Sequence, residues 1–148
     1  MATRRAGRPL LMLIDDSEDD RTLVRLALAE LPQPPEVLEV QNGKEALAVL
    51  ASAAELPSVI LLDLQMPIMN GFGFLERLRT DDGLRKVPVV VFSTSGAAWD
   101  VDESYRLGAN AYLVKPVGMP DTIATLEELL GVFLRLVELP QPRRLPAA

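Results

Sequence analysis

The stretch Val59-Ile60-Leu61-Leu62-Asp63 is the most informative segment of this sequence about the fold. Its four apolar residues have the length of a short β-strand, and their unbroken hydrophobicity is typical of a strand covered on both faces. The strand ends directly on a carboxylate, that of Asp63. Because strands of this kind occur mainly in parallel sheets with helices on either side, the stretch predicts an α/β domain.

Apolar strand-like runs alternate with helix-like segments on either side of this stretch. Ser17 and Asn42 each precede an acidic residue by three positions, the spacing of a capping box at a helix start, and the later helices are predicted over 71–79, 98–107 and 120–138. Further strands are predicted over 10–14, 36–40, 87–92 and 111–114. Five strands alternating with five helices predict a doubly wound domain with a five-stranded parallel sheet.

Composition excludes several classes of function. The chain has 148 residues, no histidine and no cysteine, which removes imidazole bases, thiol nucleophiles, disulfides and ordinary zinc sites. Its net charge of -6 argues against a basic nucleic-acid interface, and we expect no nucleic-acid partner. We also expect no membrane segment, because the apolar run after Arg8 ends at Asp15 and is too short for a span or a signal peptide.

These observations predict one domain with two short extensions. Residues 1–9 are expected to form a flexible N-terminal tail, residues 10–138 the folded domain, and residues 139–148 a proline-rich C-terminal arm. The absence of cysteine is compatible with a reducing compartment, so a cytoplasmic location is expected.

Polar residues follow separate strands where their carboxyl ends meet. Asp15 and Asp16 follow the first strand, Asp63 the third, Ser93 and Thr94 the fourth, and Lys115 the fifth. In open parallel sheets such positions converge in one crevice. Three neighbouring carboxylates repel one another unless a hard cation shares their oxygens, and Mg²⁺ is the expected ion.

The chemistry that fits this set is phosphoryl transfer. Asp63 is the expected nucleophile, Asp16 with Asp15 is expected to hold Mg²⁺, and Ser93 and Lys115 are each expected to bind one phosphoryl oxygen. Acidic residues after strands also serve as simple helix caps. That is the interpretation of the remaining acidic residues at the first helix start, namely Glu18, Asp19 and Asp20.

The chain resembles bacterial two-component response-regulator receiver domains over residues 10–137. The separations from Asp63 to Ser93 and Lys115, 30 and 52 residues, are like those of compact chemotaxis-type receivers. The motifs that carry the resemblance are Leu13-Ile14-Asp15-Asp16, Leu61-Leu62-Asp63-Leu64-Gln65-Met66-Pro67-Ile68-Met69-Asn70-Gly71, Val90-Val91-Phe92-Ser93-Thr94 and Gly108-Ala109-Asn110-Ala111-Tyr112-Leu113-Val114-Lys115-Pro116.

The resemblance implies a flavodoxin-like strand order 2-1-3-4-5 and phosphorylation of Asp63 by a sensor histidine kinase. It implies Mg²⁺ binding by Asp15, Asp16, Asp63 and the main-chain carbonyl of Gln65. The protein would then be a signalling protein that catalyses only its own phosphoryl transfer and dephosphorylation, and not an enzyme acting on other substrates.

The resemblance also implies a switch at Ser93 and Tyr112 and a cis peptide bond between Lys115 and Pro116. The residues alone favour a different interpretation of Tyr112, as an aromatic that covers the core at a strand end. Gln65 and Thr94 are less typical of receivers, and both are expected to tune the lifetime of the phosphoryl group.

The last helix suggests how such a protein signals. Only 33 residues follow Lys115, so we expect a stand-alone receiver whose output is a protein contact. The ending 133–140 is weakly similar to receivers partnered with phytochrome-type kinases. A wide apolar arc predicts a homodimer through this helix and the C-terminal arm; its residues beyond the core-facing set are Leu129, Val132, Leu136 and Leu139.

Two alternatives remain open at this level. One is a Mg²⁺-dependent phosphohydrolase with an aspartate nucleophile; such enzymes usually carry a second Asp two residues later, where this chain has Gln65. The other is a receiver-like scaffold that takes no phosphoryl group, which the intact set of Asp16, Asp63, Ser93 and Lys115 disfavours.

Overall fold

A parallel five-stranded sheet with the order 2-1-3-4-5 forms the centre of the protein, as expected. The computed structural model describes residues 8–136. The strands are β1 (Leu10–Ile14), β2 (Glu36–Val40), β3 (Val59–Leu62), β4 (Val89–Ser93) and β5 (Ala111–Val114), and the helices are α1 (Glu18–Ala29), α2 (Gly43–Ser52), α3 (Gly71–Thr80), α4 (Ala98–Arg106) and α5 (Met119–Gly131).

Two apolar cores, one on each face of the sheet, bury the alternating residues of the strands. Leu13 of β1 and Leu61 of β3 pair in register and face α1 and α5, whereas their neighbours Ile14 and Leu62 face α2 and α3. Parallel strands covered on both faces are apolar throughout, which is why β3 is fully buried. The arrangement confirms the doubly wound α/β fold.

Side-chain caps fix where the helices start. Ser17 accepts a hydrogen bond from the main-chain N–H of Asp20 at 3.1 Å, and Asn42 accepts one from Glu45 at 2.8 Å, as the capping-box spacing predicts. Asn70 caps α3 in the same way through the N–H of Gly73, at 3.0 Å. These caps place the start of each helix beside the carboxyl edge of the sheet.

The fourth strand starts two residues later than predicted. Val87 is in a turn, with its N–H donating to the carbonyl of Leu84 at 3.1 Å, and Pro88 has no N–H to give to the sheet. The strand therefore runs from Val89 to Ser93, so that Ser93 is its last residue rather than the first one after it.

The C-terminal part of the last helix also differs from the expectation. The α-helix ends at Gly131, a weak helix former, and residues Val132–Leu136 continue as a π-helix. Leu129 is half-buried and packs against the core, whereas Val132 is 45% exposed. Leu139 and the C-terminal arm lie outside the described residues.

The peptide bond between Lys115 and Pro116 is trans, so the expectation of a cis bond is wrong; residues 8–136 contain no cis peptide. The trans form is the intrinsically favoured one, by about 0.5–1 kcal/mol for a bond that precedes proline. Within the same residues, no helix is long and apolar enough to cross a membrane.

The predicted tail includes two residues that contact the folded domain. The Arg8 guanidinium donates to the carbonyls of Pro34 and Pro35 at 3.0 and 3.1 Å, and the carbonyl of Pro9 accepts from Glu36 at 2.9 Å. Residues 1–7 lie outside the described part of the chain.

Arg79, near the end of α3, connects the loops that precede β4 and β5. Its guanidinium donates to the carbonyls of Val87 and Gly108, at 2.7 and 2.8 Å, and to the side-chain oxygen of Asn110 at 3.0 Å. Burial lowers the pKa of Arg79, yet a guanidinium remains charged at any physiological pH. These bonds fix where β5 begins, and β5 leads directly to Lys115.

Candidate functional site

The three predicted carboxylates meet at the carboxyl edge of the sheet. The N–H of Asp63 donates to the carbonyl of Ile14 at 2.9 Å, which extends the pairing of β3 with β1 and brings Asp63 beside Asp15. Carboxylate oxygens of Asp15, Asp16 and Asp63 all lie within 4.8 Å of one another. Asp15 is buried and Asp16 is exposed, while the side chain of Asp63 is 11% exposed.

This oxygen set fits a small divalent cation. Opposite ligands of an octahedral Mg²⁺ lie about 4.2 Å apart, a span that the 4.8 Å cluster nearly matches. All of the donors are hard carboxylate oxygens, and the exposed Asp16 leaves one side open to water. Gln65, whose carbonyl is the fourth expected ligand, is exposed on the loop after β3.

Lys115 places a cation against the carboxylates from the β5 side. Its ammonium nitrogen lies 2.7 Å from Asp15 Oδ2, 3.1 Å from Asp20 Oδ2 and 3.8 Å from Asp63 Oδ1. Its main-chain N–H donates to the carbonyl of Ser93 at 2.7 Å, which aligns the ends of β4 and β5. Burial lowers the pKa of Lys115, but its pairing with Asp15 and the other carboxylates outweighs this effect and raises the pKa overall.

The charged form of Asp63 is disfavoured by the surroundings of its carboxyl group. Burial raises its pKa from 3.8 to about 6, and the negative charges of Asp15 and Asp16 add to this effect, while Lys115 opposes it. A bound cation favours the ionised form through its positive charge. The ionised form of Asp63 is therefore unfavourable in the ion-free site, and binding of a cation would stabilise it.

The backbone that follows Asp63 is held by a close approach of α3. The N–H of Gly71 donates to the carbonyl of Leu64 at 2.9 Å, and a Cβ at Gly71 would lie 2.6 Å from the carbonyl oxygen of Asp63. Ile68, on the intervening loop, has a φ of 70° and lies in a tight turn closed by a 2.7 Å hydrogen bond between Met69 and Pro67. A side chain at position 71 is therefore incompatible with this geometry.

The two expected switch residues are joined through the loop after β4. Ser93 is buried, and its hydroxyl accepts from the N–H of Ser95 at 3.2 Å. The half-buried Tyr112 donates its phenolic hydrogen to the carbonyl of Ser95 at 2.6 Å. Thr94, between Ser93 and Ser95 in the chain, is exposed. Ser95 thus connects Ser93 with Tyr112 in this structure.

Two residues of the site were not identified from the sequence. Asp20 contacts Lys115, although we interpreted it only as a cap residue of α1. Arg21, for which the sequence pattern indicates no role, donates to the carbonyl of Asp15 at 2.7 Å and lies 3.4 Å from Glu39. Nothing in the local pattern distinguishes Asp20 from the acidic residues before it, because its partner lies 95 residues further along the chain.

The sheet has the flavodoxin-like order 2-1-3-4-5, and its carboxyl edge carries an acidic pocket beside a lysine. These features are typical of one class of protein, the flavodoxin-like signalling domains. The family model for the response regulator receiver domain matches residues 11–127, and the chain belongs to this family. Receiver domains are signalling proteins rather than enzymes, they bind Mg²⁺ at such a pocket, and histidine kinases phosphorylate them. The phosphohydrolase alternative is therefore wrong.

Similar proteins include single-domain response regulators. Response regulator Rcp1 of Synechocystis sp. is 32% identical over 136 residues, which cover 88% of this chain and 92% of that protein. Chemotaxis protein CheY1 of Helicobacter pylori is 32% identical over 124 residues, covering 84% of this chain and 95% of the other. The crystal structure of the phosphorylated cyanobacterial phytochrome response regulator RcpA has a TM-score of 0.84 at 32% identity and covers 90% of this chain and 99% of that one.

Proposed function

We propose that this chain is a single-domain response regulator that accepts a phosphoryl group on Asp63 from a sensor histidine kinase in a Mg²⁺-dependent reaction. The observation that carries the proposal is the position of Asp63, whose carboxylate lies between two further carboxylates and an ammonium group 3.8 Å away. Phosphoryl transfer to a carboxylate needs positive charge beside the acceptor, which Lys115 provides and which a cation held by the other carboxylates would add.

Each side chain has a distinct task in this reaction. An oxygen of Asp63 attacks phosphorus while the bond from phosphorus to the kinase's histidine breaks, and the imidazole departs with the electron pair. Asp15, Asp16, Asp63 and the Gln65 carbonyl would hold Mg²⁺, which would supply positive charge to the transferring oxygens when bound. Lys115 binds one phosphoryl oxygen and the Ser93 hydroxyl another, while Gln65 and Thr94 at the pocket rim govern access of water to the acyl phosphate.

The signal leaves the site as a change in protein contacts. Lys115 lies next to Val114, which is 51% exposed, and two residues before Val117, which is 92% exposed. Movement of the ammonium group towards a phosphoryl group therefore acts directly on an exposed apolar surface. The linked pair Ser93 and Tyr112 carries the same change to the start of α4, where Trp99 is 67% exposed.

We further propose a kinase of the phytochrome type as the partner, a cytoplasmic location, and a homodimer formed through the last helix and C-terminal arm. The kinase assignment is supported by the similarity to the phytochrome response regulator RcpA. Val132 on the last helix, 45% exposed, supports the dimer. The same assignment treats residues 10–138 as the receiver domain, between the tail and the arm.

Intact-mass analysis tests the acceptor role. Purified protein is incubated with Mg²⁺ and acetyl phosphate, alongside Asp63→Asn and Asp82→Asn; the second variant removes an exposed carboxylate after α3. We expect one phosphoryl adduct on wild type and on Asp82→Asn, and none on Asp63→Asn. An unmodified wild type would support the scaffold alternative, and an undiminished adduct on Asp63→Asn would place the acceptor elsewhere.

Light scattering after size exclusion tests the dimer. We expect the mass of wild type to change with concentration and with beryllofluoride, which stands in for the phosphoryl group. Val132→Glu should shift the protein towards the monomer, whereas the matched change Ala51→Glu on the exposed face of α2 should not. A monomer at every concentration, with and without beryllofluoride, would contradict the dimer.

A further inference from the structure

The ammonium group of Lys115 is bound on its α1 side by a carboxylate outside the predicted site. Asp20, in the first turn of α1, lies 3.1 Å from Lys115 Nζ, closer than Asp63 at 3.8 Å. Asp15 is the nearest partner at 2.7 Å. The lysine is thus held by two anions on the β1 and α1 side, at a distance from the acceptor that exceeds a hydrogen bond.

The two anions differ in what happens to them when the site is filled. Asp15 belongs to the carboxylate cluster that fits a cation, and an ion bound there competes with Lys115 for its oxygens. Asp20 lies outside this cluster: its side chain is 44% exposed, its N–H is bonded to Ser17 and its carboxylate to Lys115. Because Asp20 does not belong to the cation cluster, we expect it to keep its contact with the lysine when an ion is bound.

We propose that Asp20 is a positioning residue that holds Lys115 away from Asp63 in the unphosphorylated protein and competes with the phosphoryl group for the ammonium. The proposal rests on the phosphoacceptor function proposed above. Any ligand that draws Lys115 towards Asp63 must break the contact between Lys115 and Asp20. The free energy of that contact therefore reduces the free energy of ligand binding. Neutralising Asp20 should consequently favour the activated state.

The first experiment compares the affinity of Asp20→Asn and Asp19→Asn for beryllofluoride at saturating Mg²⁺, measured by titration calorimetry on the full chain. Asp19 is the matched control because it is exposed, lies in the same helical turn and has the same charge. A partly exposed ion pair predicts that Asp20→Asn binds beryllofluoride about two- to fivefold more tightly than Asp19→Asn. Equal or weaker binding by Asp20→Asn would overturn the proposal.

The second experiment observes the lysine directly. Nitrogen-15 NMR of the ammonium groups distinguishes Lys115 from the two other lysines, Lys44 and Lys86, with Lys115→Ala providing the assignment. We expect Asp20→Asn to shift the Lys115 signal in the ligand-free protein, and to leave it near the wild-type position once beryllofluoride is bound. A ligand-free signal that Asp20→Asn leaves in place would contradict the contact itself.

The two proposals fail in different ways. If wild type binds no beryllofluoride in the presence of Mg²⁺, the phosphoacceptor function fails, and the role of Asp20 with it. If wild type binds beryllofluoride but the two variants have the same affinity, only the role of Asp20 is overturned.

Discussion

Replacing the proposed acceptor should make the ion-free protein more stable. Asp63→Asn keeps the size of the side chain and an oxygen acceptor, but removes a negative charge from a site where it is disfavoured. The pKa of Asp63 rises from 3.8 to about 6, mainly because the carboxyl is buried. At neutral pH the folded protein must therefore hold this group ionised against its environment.

The pKa shift of Asp63 sets an upper limit on the stability that Asp63→Asn can gain. It amounts to about two pKa units, and each unit corresponds to about 1.4 kcal/mol, which gives about 3 kcal/mol. The side chain retains 11% exposure, and water that reaches it screens the charge, so we expect a gain of about 1–2 kcal/mol at pH 7.

The gain should depend on pH in a defined direction. The pKa in the folded state is higher than in the unfolded state, so below pH 3.8 both states are protonated and the carboxyl has no unfavourable effect. Wild type then loses stability relative to Asp63→Asn as the pH rises from 3.8 to about 6, and the difference is constant above that range.

Urea unfolding followed by circular dichroism, in EDTA at pH 7.5 and again near pH 4, measures this difference. Asp82→Asn serves as the control, because it removes an equal charge from an exposed position. The reasoning is refuted if Asp63→Asn is no more stable than Asp82→Asn at pH 7.5, or if its advantage is as large at pH 4. Adding Mg²⁺ should stabilise wild type more than Asp63→Asn, since the ion favours the ionised acceptor.

Four further changes probe the backbone, three of them beside the site and one at the opposite edge of the sheet. Gly71→Ala should lower the stability to urea by about 2–3 kcal/mol and weaken Mg²⁺ binding in calorimetry, because its Cβ would lie 2.6 Å from the carbonyl oxygen of Asp63. Gly73→Ala, whose Cβ would be 3.4 Å from the nearest atom, should be neutral or stabilising. Ile68→Gly should raise the stability by about 1 kcal/mol because it relieves a positive φ, and a lower urea midpoint would contradict this. Arg79→Met should lower the stability by about 2–4 kcal/mol because several carbonyl groups lose their donor, and an unchanged urea midpoint would show that water replaces it.

Local patterns predicted most of the fold because the strands and caps depend on residues close in sequence. β3 coincides with the apolar run before Asp63, and Ser17 and Asn42 cap helices at the expected positions. The displaced start of β4 is a local effect too, since Pro88 cannot donate to the sheet. Pro88 is thus the signal in the sequence that the strand starts after position 88.

The parts that the sequence did not predict depend on contacts between distant segments. The pairing of Asp20 with Lys115 exists only because α1 and the end of β5 lie at the same edge of the sheet. Likewise Arg79 meets Gly108 across 29 residues. A cap residue and a partner in an ion pair look identical in a local pattern, so only the tertiary arrangement distinguishes them.

The electrostatics of the pocket and the proposed signalling role have one physical basis. In the ion-free protein Asp63 is disfavoured in its charged form, and Lys115 is bound to Asp15 and Asp20 at shorter distances than to Asp63. A ligand changes a conformational equilibrium only through its different affinities for the two states. A cation supplies one such difference because it stabilises the ionised acceptor, and a phosphoryl group supplies the other because it draws the lysine away from α1. A pocket optimised for stability alone would have a neutral residue at position 63. Such a pocket would have no acceptor for a phosphoryl group, and so no means of changing the conformational equilibrium.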